Sequence, residues 1–319
     1  MNVRQVLPPD AIPSVDDPEF RPASEYDGDP DDEVVVVDGD TPRAYPIRYL
    51  HYHEIVNTDR DGDPIAVTWC PLCGSAVVYD RVVDGQRLTF GVSGKLADDD
   101  LVMYDRETES EWKQSLGTAI AGEYEGTDLT VLPAAMVPVR RFRESHPDGE
   151  VLARPGGETE AGQKGGEAAE PEYDADPYDH YFEMDGFGLG AHRGTGGREW
   201  DRDDDIDPKT VVLGVEDGDD ALGFPLHRIE ESGGVAQATV GETDAVVFVT
   251  PEGIHAFADP GYAFEPADDG AFAADGTTWD GATGESDDGR SLDRLPARRL
   301  FAFAWQDDHG PDSFYQPQQ

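Results

Sequence analysis

The sequence predicts a mainly β protein, α+β at most, made of two related β-rich lobes that are curled sheets or small barrels with a few short helices. Apolar runs are short, β-branched and bounded by Gly, Asp or Pro, as in EVVVVD from Glu33. Helical periodicity is clear only near Pro46–His53 and Val137–Ser145. The same order of elements also occurs twice along the chain, which is why two related lobes are expected.

The internal repeat consists of four matches in the same order. Each half opens with an apolar strand, an acidic-Gly turn and an aromatic-Pro-aliphatic-basic segment, beginning at Glu33 and at Thr210. The later matching pairs of segments begin at Asp63 and Thr243, at Tyr104 and Trp279, and at Leu132 and Leu295. A diverged duplication explains four ordered matches better than chance does.

The repeat and the composition divide the chain into a first lobe, 1–153, a linker with a strap, 154–208, and a degenerate second lobe, 209–319. The linker begins with a Gly/Glu-rich stretch that is poor in aliphatic residues, and such composition predicts flexibility. The aromatic-rich stretch from Tyr173 is predicted to pack on a lobe as a strap. Within the first lobe, Asp84-Gly85 between two apolar runs predicts a β-hairpin.

The charge balance is strongly acidic. Asp and Glu number 69 against 24 Lys and Arg, a formal net charge of −45. Molar salt shortens the Debye length to about 3 Å and screens such self-repulsion, so we expect a cytoplasmic protein of a high-salt milieu. Nucleic-acid binding is not expected, because it needs clustered basic residues. No segment approaches the roughly 18 apolar residues of a membrane span, and no signal peptide is predicted.

The only cysteines, Cys70 and Cys73, lie in TWCPLCGSAVVYD, where CPLCG is predicted to be a turn between two strands. In a reducing compartment, such a pair is more often a metal or redox site than a disulfide. A structural zinc site needs four ligands, so others would have to come from residues such as His51, His53 or Glu54. Two-coordinate Cu(I) needs no further ligand. A redox pair, a metal site and two inert thiols all stay open.

The repeat offers an internal comparison for these residues. At a constant offset of 180 residues, Cys70 corresponds to Thr250 and Cys73 to Gly253, while His53-Glu54 corresponds to two glycines. The scaffold pattern persists in the second half, but the reactive side chains are absent from it together. This favours a site in the first lobe and a structural role for the second.

Other candidates have a functional and a structural interpretation. His53 beside Glu54 could be a base with its orienting group, or a helix-capping pair. Arg106, with Asp105, could hold an anionic ligand, and the same turn could simply brace a hairpin. Ser93 lies in a Gly/Ser turn whose amides could hold an anion, although the turn lacks the full phosphate-loop spacing. Trp112 is expected in the core or in a pocket wall.

Long stretches of the chain resemble domain-of-unknown-function family 3179, and the resemblance spans nearly all of it. The matching stretches include RAYPIRYLHYHEIVN, AVTWCPLCGSAVVYDR, LTFGVSGKL and DLVMYDRETESEW. The family has no established activity. Some members carry selenocysteine in the CPLC-type motif, which implies redox chemistry. Carried onto this chain, the motif residues are His53, Glu54, Cys70, Cys73, Ser93, Asp105, Arg106 and Trp112.

The leading hypothesis is a thiol redox protein. The resemblance implies that Cys73 is the nucleophile, and Cys70 then resolves the mixed disulfide. His53 and Glu54 tune the thiol's pKa or accept its proton, and Arg106 holds an anionic group. The alternatives are a non-enzymatic Cu(I) or Zn(II) module using both thiolates with His53, and a structural protein with inert thiols. Whether the protein is an enzyme, its substrate, its redox or metal partner and its oligomeric state are not determined by the sequence.

Overall fold

The computed structural model describes residues 1–161, 167–268 and 270–317, and it is mainly β, as the sequence predicts. The strands before the strap are β1 Val3–Gln5, β2 Phe20–Pro22, β3 Glu33–Val37, β4 Arg43–Pro46, β5 Ile55–Arg60, β6 Asp63–Cys70, β7 Ser75–Asp80, β8 Val82–Val83, β9 Gln86–Arg87, β10 Phe90–Ala97, β11 Asp100–Asp105, β12 Glu111–Lys113, β13 Ala119–Ala121, β14 Val131–Leu132, β15 Ala135–Pro138 and β16 Glu150–Leu152. The later strands are β17 Val211–Asp217, β18 Asp220–Pro225, β19 Val235–Val240, β20 Thr243–Thr250, β21 Gly253–Ala258, β22 Glu265–Pro266, β23 Ala271–Ala274, β24 Thr277–Asp280 and β25 Arg298–Phe301.

Within the described ranges the helices are short. They are one 3-10 turn, Ala23–Glu25, and the α-helices α1 Ile47–His53, α2 Val139–Ser145, α3 Asp179–Glu183, α4 Gly188–His192, α5 Leu226–Glu231 and α6 Ala302–His309. The two helices that the periodicity predicts are confirmed as α1 and α2. Each begins directly after a proline, whose fixed φ suits the entry to a helix. None of the helices in the described part of the chain is long and apolar enough to cross a membrane.

The duplication is visible in the order of elements. The series β3, β4, α1, β5, β6, β7 of the first half recurs as β17, β18, α5, β19, β20, β21 in the second. The predicted hairpin at Asp84-Gly85 is also present, because Val82 pairs with Arg87 across it and both turn residues have positive φ. The Gly/Glu-rich stretch expected to be flexible includes residues 162–166, which lie outside the described residues.

The two halves share a sheet, and this brings the second half to the cysteines. The sheet has the order β18-β17-β25-β7-β6-β5, so the last strand of the second half lies beside β7 of the first. Arg299 of β25 pairs with Ala76 of β7, antiparallel. Phe301 and Trp305, from the end of β25 and from α6, belong to the same hydrophobic core as Trp69. The turn between β6 and β7 therefore packs against residues from both halves.

Candidate functional site around the cysteine turn

The β6–β7 hairpin, with Cys70 at the end of β6 and Cys73 in the turn, is held by residues more than 200 positions away. Cys70 ends β6 opposite Ser75, which begins β7, and residues 71–74 form the turn. Phe301 N donates to Cys73 O at 2.7 Å, and an Arg299 guanidinium donates to Gly74 O at 2.8 Å. Gly74 has φ 55°, and a Cβ there would lie 2.8 Å from the Phe301 ring, so glycine is required.

The corresponding turn of the second half is shorter. Thr250 pairs directly with Gly253, so that turn has two residues, 251–252, against four in the first half. The structural counterpart of Gly253 is therefore Ser75, and the constant offset that aligned Gly253 with Cys73 is wrong at this turn. Cys73 lies in a turn that is two residues longer than its counterpart. The longer turn carries the second thiol.

Both thiols are free and buried, but they face different surroundings. Cys70 is 2% exposed and lines a cavity of about 820 Å³ together with Glu54. Cys73 is fully buried, does not line that cavity, and its Sγ lies 3.5 Å from the backbone oxygen of Asp99. Burial raises the pKa of both thiols, and for Cys73 the neighbouring Cys70 and Asp100 raise it further.

Asp100 joins the two cysteines in a cluster that the sequence did not predict. The two sulfurs and a carboxylate oxygen of Asp100 all lie within 4.8 Å of one another. Asp100 begins β11 directly after the two-residue turn Asp98-Asp99, where both residues have positive φ, a conformation that Asp tolerates in such hairpins. Its Oδ2 accepts from Ser115 N at 2.8 Å, whereas its Oδ1 is buried without a hydrogen-bond partner.

An ion pair formed across the two halves lies beside this cluster. Lys113 of β12 contacts Asp308 of α6, and both side chains are buried. Asp308 also accepts from the Ser115 hydroxyl at 2.6 Å, so Ser115 links it to Asp100. Burial alone would lower the pKa of Lys113, but Asp308 and Asp100 raise it overall and keep the amine charged. Burial raises the pKa of Asp100, and the Lys113 charge opposes this.

Glu54 occupies a backbone position that suits glycine. Its φ is 58° and its backbone oxygen accepts from Trp69 N at 2.8 Å. In the second half the same bond joins Val249 N to Gly234 O at 2.8 Å, and Gly234 has φ 81°. The first half thus keeps a 7%-exposed carboxylic acid where the second half has glycine. Burial, with Asp100 adding to it, raises the pKa of Glu54 to about 8.

His53 adjoins Glu54 in sequence, but it does not line the cavity. Its Nδ1 donates to Pro13 O at 3.0 Å, and its Nε2 accepts from the Tyr173 hydroxyl at 2.6 Å. Both ring nitrogens are therefore engaged by the scaffold and by the strap. Burial lowers the pKa of His53, although the bond to Pro13 opposes this, so the neutral ring is favoured.

The other residues singled out from the sequence do not belong to the cluster of the two thiols and Asp100, and they do not line the cavity. Asp105 accepts from Thr108 N at 2.6 Å and from the Trp112 indole at 3.0 Å, which braces the turn after β11. Arg106 is one-third exposed and pairs at the surface with Asp10 at 2.9 Å. Ser93 is buried and donates to Val102 O at 2.5 Å, in a bulge next to the cavity residue Gly94.

The strap forms one wall of the cavity. Tyr178, Tyr181 and His192 line it, and the Tyr181 hydroxyl donates to Leu72 O of the cysteine turn at 2.8 Å. His192 stacks on Tyr178 with ring centroids 5.0 Å apart. Aromatic composition could signal that this segment packs. Asp100 and Asp308 gave no comparable signal, because single acidic residues do not stand out among 69. Lys113 is one of four lysines, but nothing near it in the sequence indicates that it is buried.

A family model described as "Protein of unknown function (DUF3179)" matches residues 9–313, which is nearly the whole chain. The chain belongs to this family. The resemblance drawn from the sequence is therefore confirmed, and it includes both halves. No curated protein and no solved structure matches the chain. Since the family description assigns no activity, a function has to be argued from the chemistry of the site.

Proposed function

We propose that the protein is a thiol-based redox protein in which Cys70 and Cys73 alternate between a dithiol and an intramolecular disulfide. The observation that carries the proposal is that two free thiols lie within 4.8 Å of each other and one of them lines a cavity of about 820 Å³. Closing a disulfide requires the sulfurs to approach to about 2.05 Å, a movement within the reach of side-chain rotation and a small shift of the turn.

The cavity favours Cys70 as the attacking thiol. This is the reverse of the assignment implied by the resemblance, because Cys73 is fully buried and does not line the cavity. The Cys70 thiolate attacks one sulfur of a substrate disulfide, the substrate S–S bond breaks, and the other half leaves as a thiolate. Cys73 then attacks the Cys70 sulfur, which forms the protein disulfide and expels the second substrate thiolate. Two electrons pass from the pair to the substrate.

Glu54 is the group that we propose as proton acceptor for Cys70. It lines the same cavity as Cys70, and its pKa of about 8 suits a group that exchanges a proton near neutral pH. A buried thiol is a poor nucleophile until it loses its proton, so a base on the same wall is needed. The absence of an acid at the counterpart Gly234, where the second half has no cysteine pair, supports this role.

We also propose a reducing, high-salt cytoplasm as the working environment. The net charge of −45 supports this, because so many carboxylates repel one another unless salt screens them. In a reducing compartment the dithiol would be the resting state, and an oxidised substrate would turn the pair over.

The test is a trapping experiment with the neutral disulfide 4,4′-dithiodipyridine, on folded, metal-free protein in molar salt. We expect Cys73→Ser to retain one thiopyridyl group on Cys70, because nothing resolves the mixed disulfide. The wild type should retain none and should lose two hydrogens by mass. Cys70→Ser is the matched control and should react far more slowly. Equal rates for the two single variants, or reaction only after unfolding, would contradict the proposal.

A further inference from the structure

We propose that the reduced protein binds one Zn²⁺ through Cys70, Cys73 and Asp100. Two sulfurs that are each about 2.3 Å from a tetrahedral zinc ion lie roughly 3.8 Å apart, and a carboxylate ligand lies about 2.0–2.2 Å from the ion. The three potential ligand atoms already lie within 4.8 Å of one another. Small side-chain rotations would therefore complete the site. It needs only reduced thiols, so it does not rest on the proposed redox function.

The second observation that points to a ligand is the unpaired oxygen of Asp100. The residue is 1% exposed, and its Oδ1 has no hydrogen-bond partner. Buried carboxylate oxygens are normally satisfied, so an unsatisfied one beside two thiols is a free ligand atom. Its other oxygen accepts from Ser115 N, which orients the carboxylate in the way that outer partners orient metal ligands.

The formal charges around the cluster also favour a cation. Three buried acids, Glu54, Asp100 and Asp308, lie around two thiols. Buried Lys113 is linked to this network, and so is buried Arg298, which donates to Ser115 O at 2.9 Å and is matched by Glu216. Lys113 is already matched by Asp308. Asp100 and two thiolates carry three negative charges, and a divalent cation would leave only one of them uncompensated. Compensation matters here because a buried charge without a partner is costly.

The donor set selects the kind of metal. Thiolates disfavour Mg²⁺ and Ca²⁺, which prefer all-oxygen sites, and Cu(I) would be satisfied by the two sulfurs alone. Two thiolates with one carboxylate suit Zn²⁺. Asp100 here takes the place that His53 holds in the sequence-based alternative, because both His53 ring nitrogens are engaged by Pro13 and Tyr173.

The site leaves a fourth position for an exchangeable ligand. Three protein ligands with one open position is the arrangement of catalytic rather than structural zinc sites. Cys70 is the ligand that lines the cavity, so the cavity is the route by which an exchangeable ligand would reach the ion, and Glu54 lines the same cavity. Zinc and the Cys70–Cys73 disulfide exclude each other, because a disulfide offers no thiolate. Oxidation of the pair would therefore release the metal.

The test uses Co²⁺ as a spectroscopic probe on anaerobic, reduced, full-length protein in molar salt. We expect one Co²⁺ per chain with a thiolate-to-cobalt charge-transfer band, and stoichiometric displacement by Zn²⁺. Asp100→Asn should weaken binding by about tenfold or more, in the range found when metal-site partners are lost. Asp98→Asn removes a carboxylate from the same hairpin, where the Asp98 side chain accepts from Asn2 N and pairs with the Met1 amine, and should bind as the wild type does.

The result that would overturn the proposal is the absence of the charge-transfer band, or an Asp100→Asn variant that binds like Asp98→Asn. Weak uptake without the band would be adventitious binding to surface carboxylates and would also overturn it. The redox function is tested separately on metal-free protein. Failure of thiol exchange with retained cobalt binding, and the reverse result, are therefore distinguishable.

Discussion

Replacing Glu54 by glycine should make the protein more stable and less reactive. Two costs are removed together. The first is the backbone strain of a non-glycine residue at φ 58°, which is about 1–2 kcal/mol. The second is the cost of keeping a buried carboxyl protonated at pH 7. The folded-state pKa of Glu54 is about 8 against an ordinary value of 4.5, so that cost is about 3 kcal/mol, as an upper figure.

Two further variants separate the cost of backbone strain from the cost of keeping the carboxyl protonated. Glu54→Gln keeps the strained backbone and the shape, and removes only the ionisable group. Gly234→Ala places a Cβ at the counterpart position, where φ is 81° and Val249 O would be 3.2 Å away, and should cost about 1–2 kcal/mol. The free energy of unfolding of Glu54→Gly should exceed that of Glu54→Gln by roughly 1 kcal/mol at any pH. This figure already subtracts the extra conformational entropy that glycine has in the unfolded chain.

The pH dependence has a definite sign. Because the folded-state pKa of Glu54 is raised, the folded protein binds the proton more tightly than the unfolded chain does. The stabilisation that the raised pKa of Glu54 adds to the free energy of unfolding is fully present below about pH 4.5. It is lost as the pH rises to about 8. The assay is urea unfolding in molar salt at several pH values. Parallel stability–pH curves for the wild type and Glu54→Gln across that window would refute the reasoning.

Two other substitutions test how the second half supports the site. Asp308→Ala leaves the buried Lys113 without its partner and should cost about 3–5 kcal/mol in urea unfolding, whereas the double change Lys113→Met with Asp308→Leu should cost much less, and equal losses would contradict the assignment. Gly74→Ala should cost about 2–4 kcal/mol, because of its φ of 55° and the Phe301 ring 2.8 Å from the added Cβ. Phe301→Leu should recover part of that loss, and a Gly74→Ala variant as stable as the wild type would show that the ring does not confine the turn.

Patterns that act locally were readable from the sequence. Helical periodicity located α1 and α2, and the Asp84-Gly85 pair located a hairpin. Short β-branched runs bounded by Gly, Asp or Pro predicted the mainly β class, and four matches in the same order predicted the duplication. For the helices, the hairpin and the strands the information lies within a dozen neighbouring residues, where backbone preferences and side-chain periodicity determine the outcome. The duplication required a comparison of segments from the two halves of the chain.

The features that the sequence did not predict depend on contacts between residues that are distant in the chain. The pairing of β25 with β7 joins Arg299 to Ala76, and the ion pair of Lys113 with Asp308 spans 195 positions. Nothing near either partner in the sequence specifies the other. Asp100 follows two other aspartates in a chain with 69 acidic residues, so its burial beside the thiols had no compositional signal. A fixed offset also failed where one turn is two residues longer.

The most direct test of the central claim is a redox titration of the folded, metal-free wild type in graded mixtures of reduced and oxidised dithiothreitol. The proposal predicts one reversible two-electron transition, in which the Cys70–Cys73 disulfide forms within a single chain while the far-UV circular dichroism stays unchanged. Thiols that remain reduced at every ratio in the folded protein, or that oxidise only between chains, would contradict it.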